Sequence, residues 1–156
     1  DTGYDRGHLA PNHGIGQAHG AKAQLETFLM SNIIPQTPEL NRSIWKQLEQ
    51  RISNEYTDRY NETWVITGPV YQDYVRRLKS GVAVPTHCYK IVLDQHDEGI
   101  RAIAFLFPQE IKKDSELKDY LVSIDDLEKL TTLNFFSLLP DEAEKQLEAK
   151  PAKWAW

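Results

Sequence analysis

The stretch Asp5-Arg6-Gly7-His8 stands near the start of the chain, and Asn41 follows His8 by 33 residues at the head of a predicted helix. Histidine exchanges a proton near neutral pH, and arginine holds a phosphate through two parallel hydrogen bonds. Asparagine offers a neutral carbonyl oxygen, which suits a hard cation such as Mg²⁺. Together these residue types indicate metal-assisted attack of water on a phosphodiester.

The segment from Leu40 to Tyr56 is predicted to be an amphipathic helix. Its apolar residues fall at positions 40, 44, 45, 48, 52 and 56, which is a helical period. The preceding Thr37-Pro38 is typical of an N-cap followed by proline at the first helical position. At about 100° per residue, Asn41 projects close to Leu48 and Ile52. The polar amide is therefore predicted within the buried stripe, where it needs partners to offset the cost of burial.

Composition places the chain among soluble globular proteins of about one domain. It has 156 residues, 40% of them hydrophobic and 26% charged. No run approaches the roughly 18 to 20 apolar residues of a membrane span. The single Cys88 excludes an internal disulfide and a multi-cysteine zinc finger.

The net charge of −5 is unexpected for a protein that binds DNA. Residues 1–113 carry 13 Lys/Arg and 13 Asp/Glu, whereas residues 114–156 carry 5 and 10. The negative excess therefore belongs to the C-terminal stretch. Charge neither favours nor excludes a nucleic-acid partner.

The first third of the chain shows few strong secondary-structure signals outside the predicted helix. The three glycines of Asn12–Gly20 favour a flexible loop, followed by a short helix over Ala21–Glu26 and a strand over Thr27–Ile34. Pro35 and Pro38 are expected to bracket a turn.

The rest of the chain mixes predicted strands and helices without regular βαβ alternation, which favours an α+β fold. The predicted elements are a strand over Thr63–Tyr71, a hairpin of Val82–Leu93 with Ile100–Phe107, and helices over Ile124–Leu130 (capped by Ser123) and Asp141–Ala149. Trp45, Trp64 and Phe105 are expected to pack in the core.

Each candidate site residue also has a purely structural interpretation. His8 can be an ordinary hydrogen-bonded histidine, and Arg6 can pair with Asp5. Asn41 can be a helix cap, and Glu49 can lie on a solvated flank. His13 and His19 have no partner residues at metal-ligand spacing.

The sequence nevertheless resembles the DNA/RNA non-specific endonucleases, a family of secreted bacterial and mitochondrial nucleases in the ββα-metal (His-Me finger) superfamily. Tyr4–Pro11 resembles the family signature, Thr27–Gln36 its second strand, and Leu40–Glu49 the start of its catalytic helix. Weaker similarity continues in the segments Val65–Tyr71, Val84–Lys90 and Asp126–Phe136. The resemblance thus covers nearly the whole chain.

The resemblance implies a ββα-metal core with an antiparallel sheet and flanking helices, the motif occupying about residues 1–57 of a single nuclease domain, 1–156. Family members usually carry several strands ahead of the motif. We therefore expect this chain to be the C-terminal portion of the family's domain, with the N-terminal strands missing or supplied by a second chain.

The family pattern also implies a role for each matched residue. His8 would be the general base, with its second ring nitrogen held by a backbone carbonyl. Asn41 would be the direct protein ligand of Mg²⁺, or of Mn²⁺ or another divalent cation. Arg6 would contact the phosphate in the transition state, and Glu49 would orient water on the metal.

Two further residues are expected at the substrate. Asn32 matches the asparagine that ends the family's second strand, where it steadies the site or contacts the phosphate. The family often has an arginine four residues after the glutamate, but here Ser53 stands there, and Arg51 is the nearest candidate for a substrate contact.

The function predicted from these residues is metal-dependent, sugar-non-specific endonuclease activity on DNA and RNA, leaving 5′-phosphate and 3′-hydroxyl ends. The alternative is a non-catalytic module that binds nucleic acid or phosphate on the same scaffold, and a third reading is a chance Asp-Arg-Gly-His. A homodimer is compatible with the resemblance, and export or a mitochondrial location is expected.

Overall fold

Two antiparallel sheets organise the part of the chain that the computed structural model describes, namely residues 2–56, 63–72, 74–96 and 99–153. The elements are β1 (Asp5–His8), α1 (Asn12–Glu26), β2 (Ile33–Gln36), α2 (the consecutive helical segments Leu40–Trp45, Lys46–Arg51 and Ile52–Tyr56), β3 (Thr63–Val70), β4 (His87–His96), β5 (Gly99–Pro108), β6 (Leu121–Val122), α3 (Ile124–Thr131) and α4 (Asp141–Glu148). The α+β prediction is confirmed.

β1 and β2 form a two-stranded antiparallel hairpin in which His8 lies opposite Ile33. A Cβ at Gly7 would stand 1.9 Å from Oε1 of the buried Gln36, so the Gln36 side chain would have to shift to accommodate it. Pro35 lies inside β2, and a two-stranded sheet tolerates it because both of its strands are edges. The prediction that Pro35 and Pro38 bracket a turn is wrong.

Helix α2 follows the hairpin and packs against it. Thr37 caps it as predicted, since its Oγ1 accepts a hydrogen bond from the Leu40 amide at 3.2 Å. The residues of the apolar period face the core. The Trp45 indole donates to the His8 carbonyl at 3.1 Å, which fixes the end of β1 against the helix. The first and last segments of α2 are π-helical, a local widening that often accompanies functional sites.

The second sheet has the order β3-β4-β5-β6 and separates two apolar clusters. Cys88 and Val92 of β4 pack with α2, whereas Tyr89 and Ile91 belong to the cluster that contains α3 and α4 residues. Both faces of the sheet are therefore covered, and the structure has three layers.

The predicted loop over Asn12–Gly20 is wrong, because these residues form most of α1. The helix is interrupted only at Gly20, which has φ 83°. The Asn12 amide donates to the Gln24 carbonyl at 3.2 Å and the Thr27 hydroxyl at 2.9 Å. These contacts stabilise a glycine-rich segment whose own helix propensity is poor.

The strand predicted over Thr27–Ile34 begins later, at Ile33, after a 3₁₀ turn over Met30–Asn32. Phe28, Leu29 and Met30 are consequently exposed. Trp64 is 46% exposed, so its predicted core position is also wrong, whereas Trp45 and Phe105 are buried as expected.

The predicted downstream elements are present, although β4 begins at His87 and not at Val82, and extends beyond Leu93 to His96. β4 and β5 pair as a hairpin in which His96 lies opposite Gly99. Ser123 caps α3 by accepting from the Asp126 amide, and α4 follows Pro140. No helix in the described ranges is long and apolar enough to cross a membrane.

Candidate active site

An open cleft of about 670 Å³ lies between the start of α1 and the exposed side of α2. Three of the residues predicted from the sequence line it, namely His8, Asn41 and Glu49. The other lining residues are Pro11, Asn12, His13, Gly14, Arg42, Lys46, Gln50, Ser53 and Asn54. The hairpin supplies the histidine and the helix supplies the amide and the carboxylate.

His8 ends β1 and is half-buried. Its Nε2 is shielded from solvent and has no hydrogen-bond partner among the described residues, and the edge of the ring meets Phe28 with a centroid separation of 5.2 Å. Burial lowers the pKa of His8, which favours the neutral, basic imidazole at pH 7. The expected hydrogen bond from the ring to a backbone carbonyl is not found among the described residues.

Asn41 lies inside the first turns of α2, not at its cap. Its Nδ2 donates to Asp5 Oδ2 at 2.9 Å, and Arg42 donates to the same carboxylate from Nε at 2.8 Å and Nη2 at 2.7 Å. Since its nitrogen is held by Asp5, the amide of Asn41 has its carbonyl oxygen on the opposite side. Hydrogen bonds from Arg42 and Asn41 lower the pKa of Asp5, so the acceptor stays charged at neutral pH.

Glu49 is mostly buried, so its interpretation as a solvated flank is wrong. Its Oε1 lies 3.7 Å from Nζ of Lys90, a β4 residue with no exposed surface. Lys90 also donates to the Leu9 carbonyl at 3.1 Å and lies over the Trp45 ring at 4.2 Å. Burial raises the pKa of Glu49 and lowers that of Lys90 to about 8, while each partner opposes the shift of the other.

The other predicted residues lie outside the lining of the cleft. Arg6 is exposed on β1, and Arg51 forms an ion pair with Glu55 at 3.1 Å along α2. Asn32 accepts from the Ala10 amide at 2.9 Å and donates to the carbonyls of Ala10 at 3.0 Å and Thr27 at 2.9 Å. Both of its amide hydrogens are engaged, so its geometry fits steadying the loop after His8 and not contact with a phosphate.

From the sequence, no role was assigned to four charged residues at or beside the cleft: Asp5, Arg42, Lys46 and Lys90. Arg42 and Lys46 stand at i and i+4 on α2, and Glu49 and Ser53 continue the same stripe. Because this helical spacing begins next to Asn41, the sequence alone could have indicated that Arg42 and Lys46 lie beside the site. Side chains alternate between the two faces of a strand, so Lys90 shares a face with the buried Cys88 and Val92. The sequence could therefore have indicated a buried lysine at this position.

The donor set at the cleft fits a hard divalent cation. The Asn41 carbonyl offers an oxygen donor of the type such a cation takes, and a charged Asp5 fixes its orientation through the amide nitrogen. Glu49 provides a second oxygen-bearing group on the same wall of the cleft.

The chain is similar to known nucleases over most of its length. The chain is 36% identical over 153 residues to the zebrafish (Danio rerio) "Nuclease EXOG, mitochondrial", covering 88% of this chain and 44% of the relative. It is 34% identical to a Nostoc "Nuclease" (96% and 56% covered) and 34% identical to human "Endonuclease G, mitochondrial" (86% and 48% covered). The chain therefore spans about half the length of the curated relatives it matches.

A structural comparison and a family comparison lead to the same family as these relatives. The crystal structure of the EndoG/EndoGI complex superimposes with a TM-score of 0.74 at 29% identity, covering 89% of this chain and 61% of that one. The fold is thus the ββα-metal nuclease fold. The sequence model described as DNA/RNA non-specific endonuclease matches residues 1–142. By this match and the similarity of its relatives, the chain belongs to the DNA/RNA non-specific endonuclease family.

Proposed function

We propose that residues 1–156 form one nuclease domain that hydrolyses phosphodiester bonds in DNA and RNA with the aid of a divalent cation. The observation that carries this proposal is the convergence of His8, Asn41 and Glu49 on one open cleft. The same cleft contains Arg42 and Lys46, which are suited to the substrate's charge.

His8 acts as the general base. Burial favours the neutral form of its imidazole, and no hydrogen bond within the described residues occupies Nε2. General-base assistance of this kind is typically worth about 10²- to 10⁴-fold in rate. Phe28 and the anchored β1 backbone restrict the ring to one region of the cleft.

Asn41 holds the cation, which we expect to be Mg²⁺, with Mn²⁺ as a substitute. When bound, the ion stabilises negative charge on the phosphate and on the leaving 3′ oxygen. Asp5 keeps the Asn41 carbonyl directed away from its own carboxylate, and Lys90 holds Glu49 at the cleft, where that carboxylate orients water. Because the 3′ oxygen is the leaving group, cleavage leaves 5′-phosphate and 3′-hydroxyl ends.

Arg42 and Lys46 bind the phosphates that flank the scissile bond. Contacts to the backbone carry little sequence information, which accounts for non-specific cleavage. Arg6 is exposed on β1, and Arg51 lies outside the lining of the cleft. Contact of either side chain with a substrate phosphate remains a prediction.

Assembly and compartment are further proposals. A homodimer, or a second chain that supplies additional strands, is tested by measuring the molar mass of the purified chain in solution. The relatives include mitochondrial proteins and a Nostoc nuclease, so we propose a mitochondrial or exported location, to be tested by cell fractionation.

The decisive experiment measures nicking of supercoiled plasmid and digestion of RNA, each with Mg²⁺ or with EDTA. The chain should cleave both with Mg²⁺ and neither with EDTA. His8→Ala and Asn41→Ala should each lower the rate by at least about 10²-fold. The matched controls are His19→Ala and Asn134→Ala, two exposed residues outside the cleft, which should retain activity.

Near-normal cleavage by His8→Ala or Asn41→Ala would contradict the role assigned to that residue. Cleavage that persists in EDTA would contradict the requirement for a cation. Binding of DNA without turnover by the unmodified chain would favour the non-catalytic module instead.

A further inference from the structure

A second group of potential metal ligands lies on the side of the sheet that faces away from the cleft. Asp125 and Glu128 belong to α3, and Glu148 is the last residue of α4. One oxygen of each carboxylate lies within 4.8 Å of the others. The neighbouring Leu127 and Leu147 pack in the apolar cluster on that side of the sheet, so this group is separate from the site around His8.

Glu148 is in an unusual position for a carboxylate. It is only 4% exposed, and its Oε1 is shielded from solvent and has no hydrogen-bond partner among the described residues. It also stands at the C-terminal end of α4, where the helix dipole disfavours negative charge. A charged carboxylate that is buried without a hydrogen-bond donor is costly, so a bound cation would explain the position of this one.

The surroundings of Glu148 are acidic. Burial, together with Glu128, Glu144 and Asp125, raises the pKa of Glu148 to about 7. Asp125 and Glu144 lie in the first turns of α3 and α4, where negative charge is stabilised by the helix dipole, but Glu148 has no such explanation. The group therefore concentrates negative charge where two helices meet.

The ligand positions are partly preorganised. Glu128 Oε1 accepts a hydrogen bond from the Phe135 amide at 2.8 Å, which holds its side chain against the loop after α3. Asp125 and Glu128 are half-exposed, so water can reach the same point and complete a coordination sphere. Three carboxylates on two helices, one of them buried, can thus contribute to one site.

The three oxygens lie within 4.8 Å of one another, so one ion can reach all of them. The ligand type favours calcium. Ca²⁺ takes several carboxylates at about 2.3 to 2.6 Å in a flexible geometry, whereas Mg²⁺ demands a near-ideal octahedron and is usually held by only one or two carboxylates. We propose that Asp125, Glu128 and Glu148 bind one Ca²⁺ ion that ties α3 to α4 and stabilises the C-terminal part of the fold.

The test compares the melting temperature of the whole chain at pH 8 without and with 10 mM CaCl₂, alongside calorimetric titration with CaCl₂. The unmodified chain should gain roughly 3 °C or more, the shift expected for a dissociation constant on the order of 10⁻⁴ to 10⁻³ M. Glu148→Gln should lose most of this gain. Glu142→Gln makes the same change of charge at an exposed position of α4 and should keep it.

Calcium bound at the cleft would raise the melting temperature of the unmodified chain and of both variants by the same amount. The result therefore depends on the difference between the calcium-induced shifts of Glu148→Gln and Glu142→Gln. Asp125→Asn serves as the second variant if Glu148→Gln does not fold, and it should show the same loss. An equal gain in Glu148→Gln and the unmodified chain would overturn the proposal. No gain in the unmodified chain, or a Glu148-dependent gain with MgCl₂ that matches the one with CaCl₂, would also overturn it.

Discussion

At the scale of single residues, the geometry of the cleft depends on side chains that do not themselves contact the reacting atoms. Asp5 accepts hydrogen bonds from both Asn41 and Arg42. It therefore sets the orientation of the proposed metal ligand and neutralises part of the charge of the neighbouring guanidinium. Because it acts through Asn41, Asp5 is a positioning residue.

Asp5→Asn should weaken cation binding and leave the chemical step comparatively intact. Partners that orient a ligand typically contribute 10- to 100-fold in metal affinity. We expect the Mg²⁺ concentration that gives half-maximal cleavage to rise by about that factor, with partial recovery of the rate at high Mg²⁺. Asp141→Asn, an exposed control in α4, should leave the Mg²⁺ dependence unchanged. A lower rate that saturating Mg²⁺ does not restore would contradict this role.

The lowered pKa of the buried Lys90 predicts how the stability of the fold depends on pH. Its pKa in the folded state is about 8, below its ordinary value of 10.5. Between these values the unfolded chain binds more protons than the folded chain, so the free energy of unfolding should increase as the pH rises through this window. The slope from one such group is at most about 1.4 kcal/mol per pH unit.

The measurement is urea unfolding from pH 7 to 10, with the unmodified chain compared to Lys90→Met. Relative to this variant, the unmodified chain should gain stability between pH 8 and 10. The exposed control Lys22→Met should show the profile of the unmodified chain. Parallel pH profiles for Lys90→Met and the unmodified chain would show that Lys90 titrates at its ordinary value.

The sequence predicted three residues that line the cleft but not the contacts that hold them. His8, Asn41 and Glu49 are recognisable because their residue types and spacing form a pattern along the chain. Asn41 is held by Asp5, 36 residues away, and Glu49 by Lys90, 41 residues away. Only the folded chain brings these pairs together. Short-range periodicity contains no direct information on such pairs.

At the scale of elements, the hairpin β1–β2 depends on the absence of a side chain at one position. Gly7 faces the buried Gln36, whose amide lies where a Cβ would project. Gly7→Ala should lower the free energy of unfolding by about 1 to 3 kcal/mol, the usual cost of an added methyl group in a packed interior. Urea unfolding followed by circular dichroism measures this loss.

Two controls separate the clash from a general effect of replacing glycine. A Cβ at Gly14 would lie 3.3 Å from the Ser53 hydroxyl, a close contact with a short side chain and not an overlap, so Gly14→Ala should change the free energy of unfolding by no more than about 1 kcal/mol. In a Gln36→Ala background, Gly7→Ala should cost much less than in the unmodified chain, because the obstructing amide is gone. An equal cost in both backgrounds would place the strain in the backbone.

The elements that were predicted correctly are those whose signals are local. The β4–β5 hairpin and α3 follow from strand residues, turn residues and a serine cap. The last part of α1 was predicted as the short helix Ala21–Glu26, but its first part, Asn12–Gly20, was missed because its stability depends on Asn12 contacting Gln24 and Thr27. The π-helical start of α2 also departs from the assumed 100° per residue, so Asn41 lies at the wall of the cleft and not in the apolar interior.

At the scale of the whole molecule, the distribution of charge is more informative than its sum. The acidic excess lies in residues 114–156, which include α3 and α4. Those helices pack on the opposite side of the second sheet from α2. The cationic residues Arg42 and Lys46 line the cleft on the α2 side. A chain of net charge −5 can therefore present a locally basic surface to a polyanion.

This separation predicts how DNA binding responds to salt. Each phosphate neutralised by a cationic side chain contributes about −0.9 to the slope of the logarithm of affinity against the logarithm of salt concentration. Lys46 lies in the cleft and is exposed, so Lys46→Ala should make the slope less steep by about 0.9. Lys145→Ala, on α4, should leave it unchanged. His8→Ala provides the common background, because it keeps the duplex intact while fluorescence anisotropy is measured at fixed Mg²⁺. Equal slopes for Lys46→Ala and Lys145→Ala would mean that DNA does not follow the cleft.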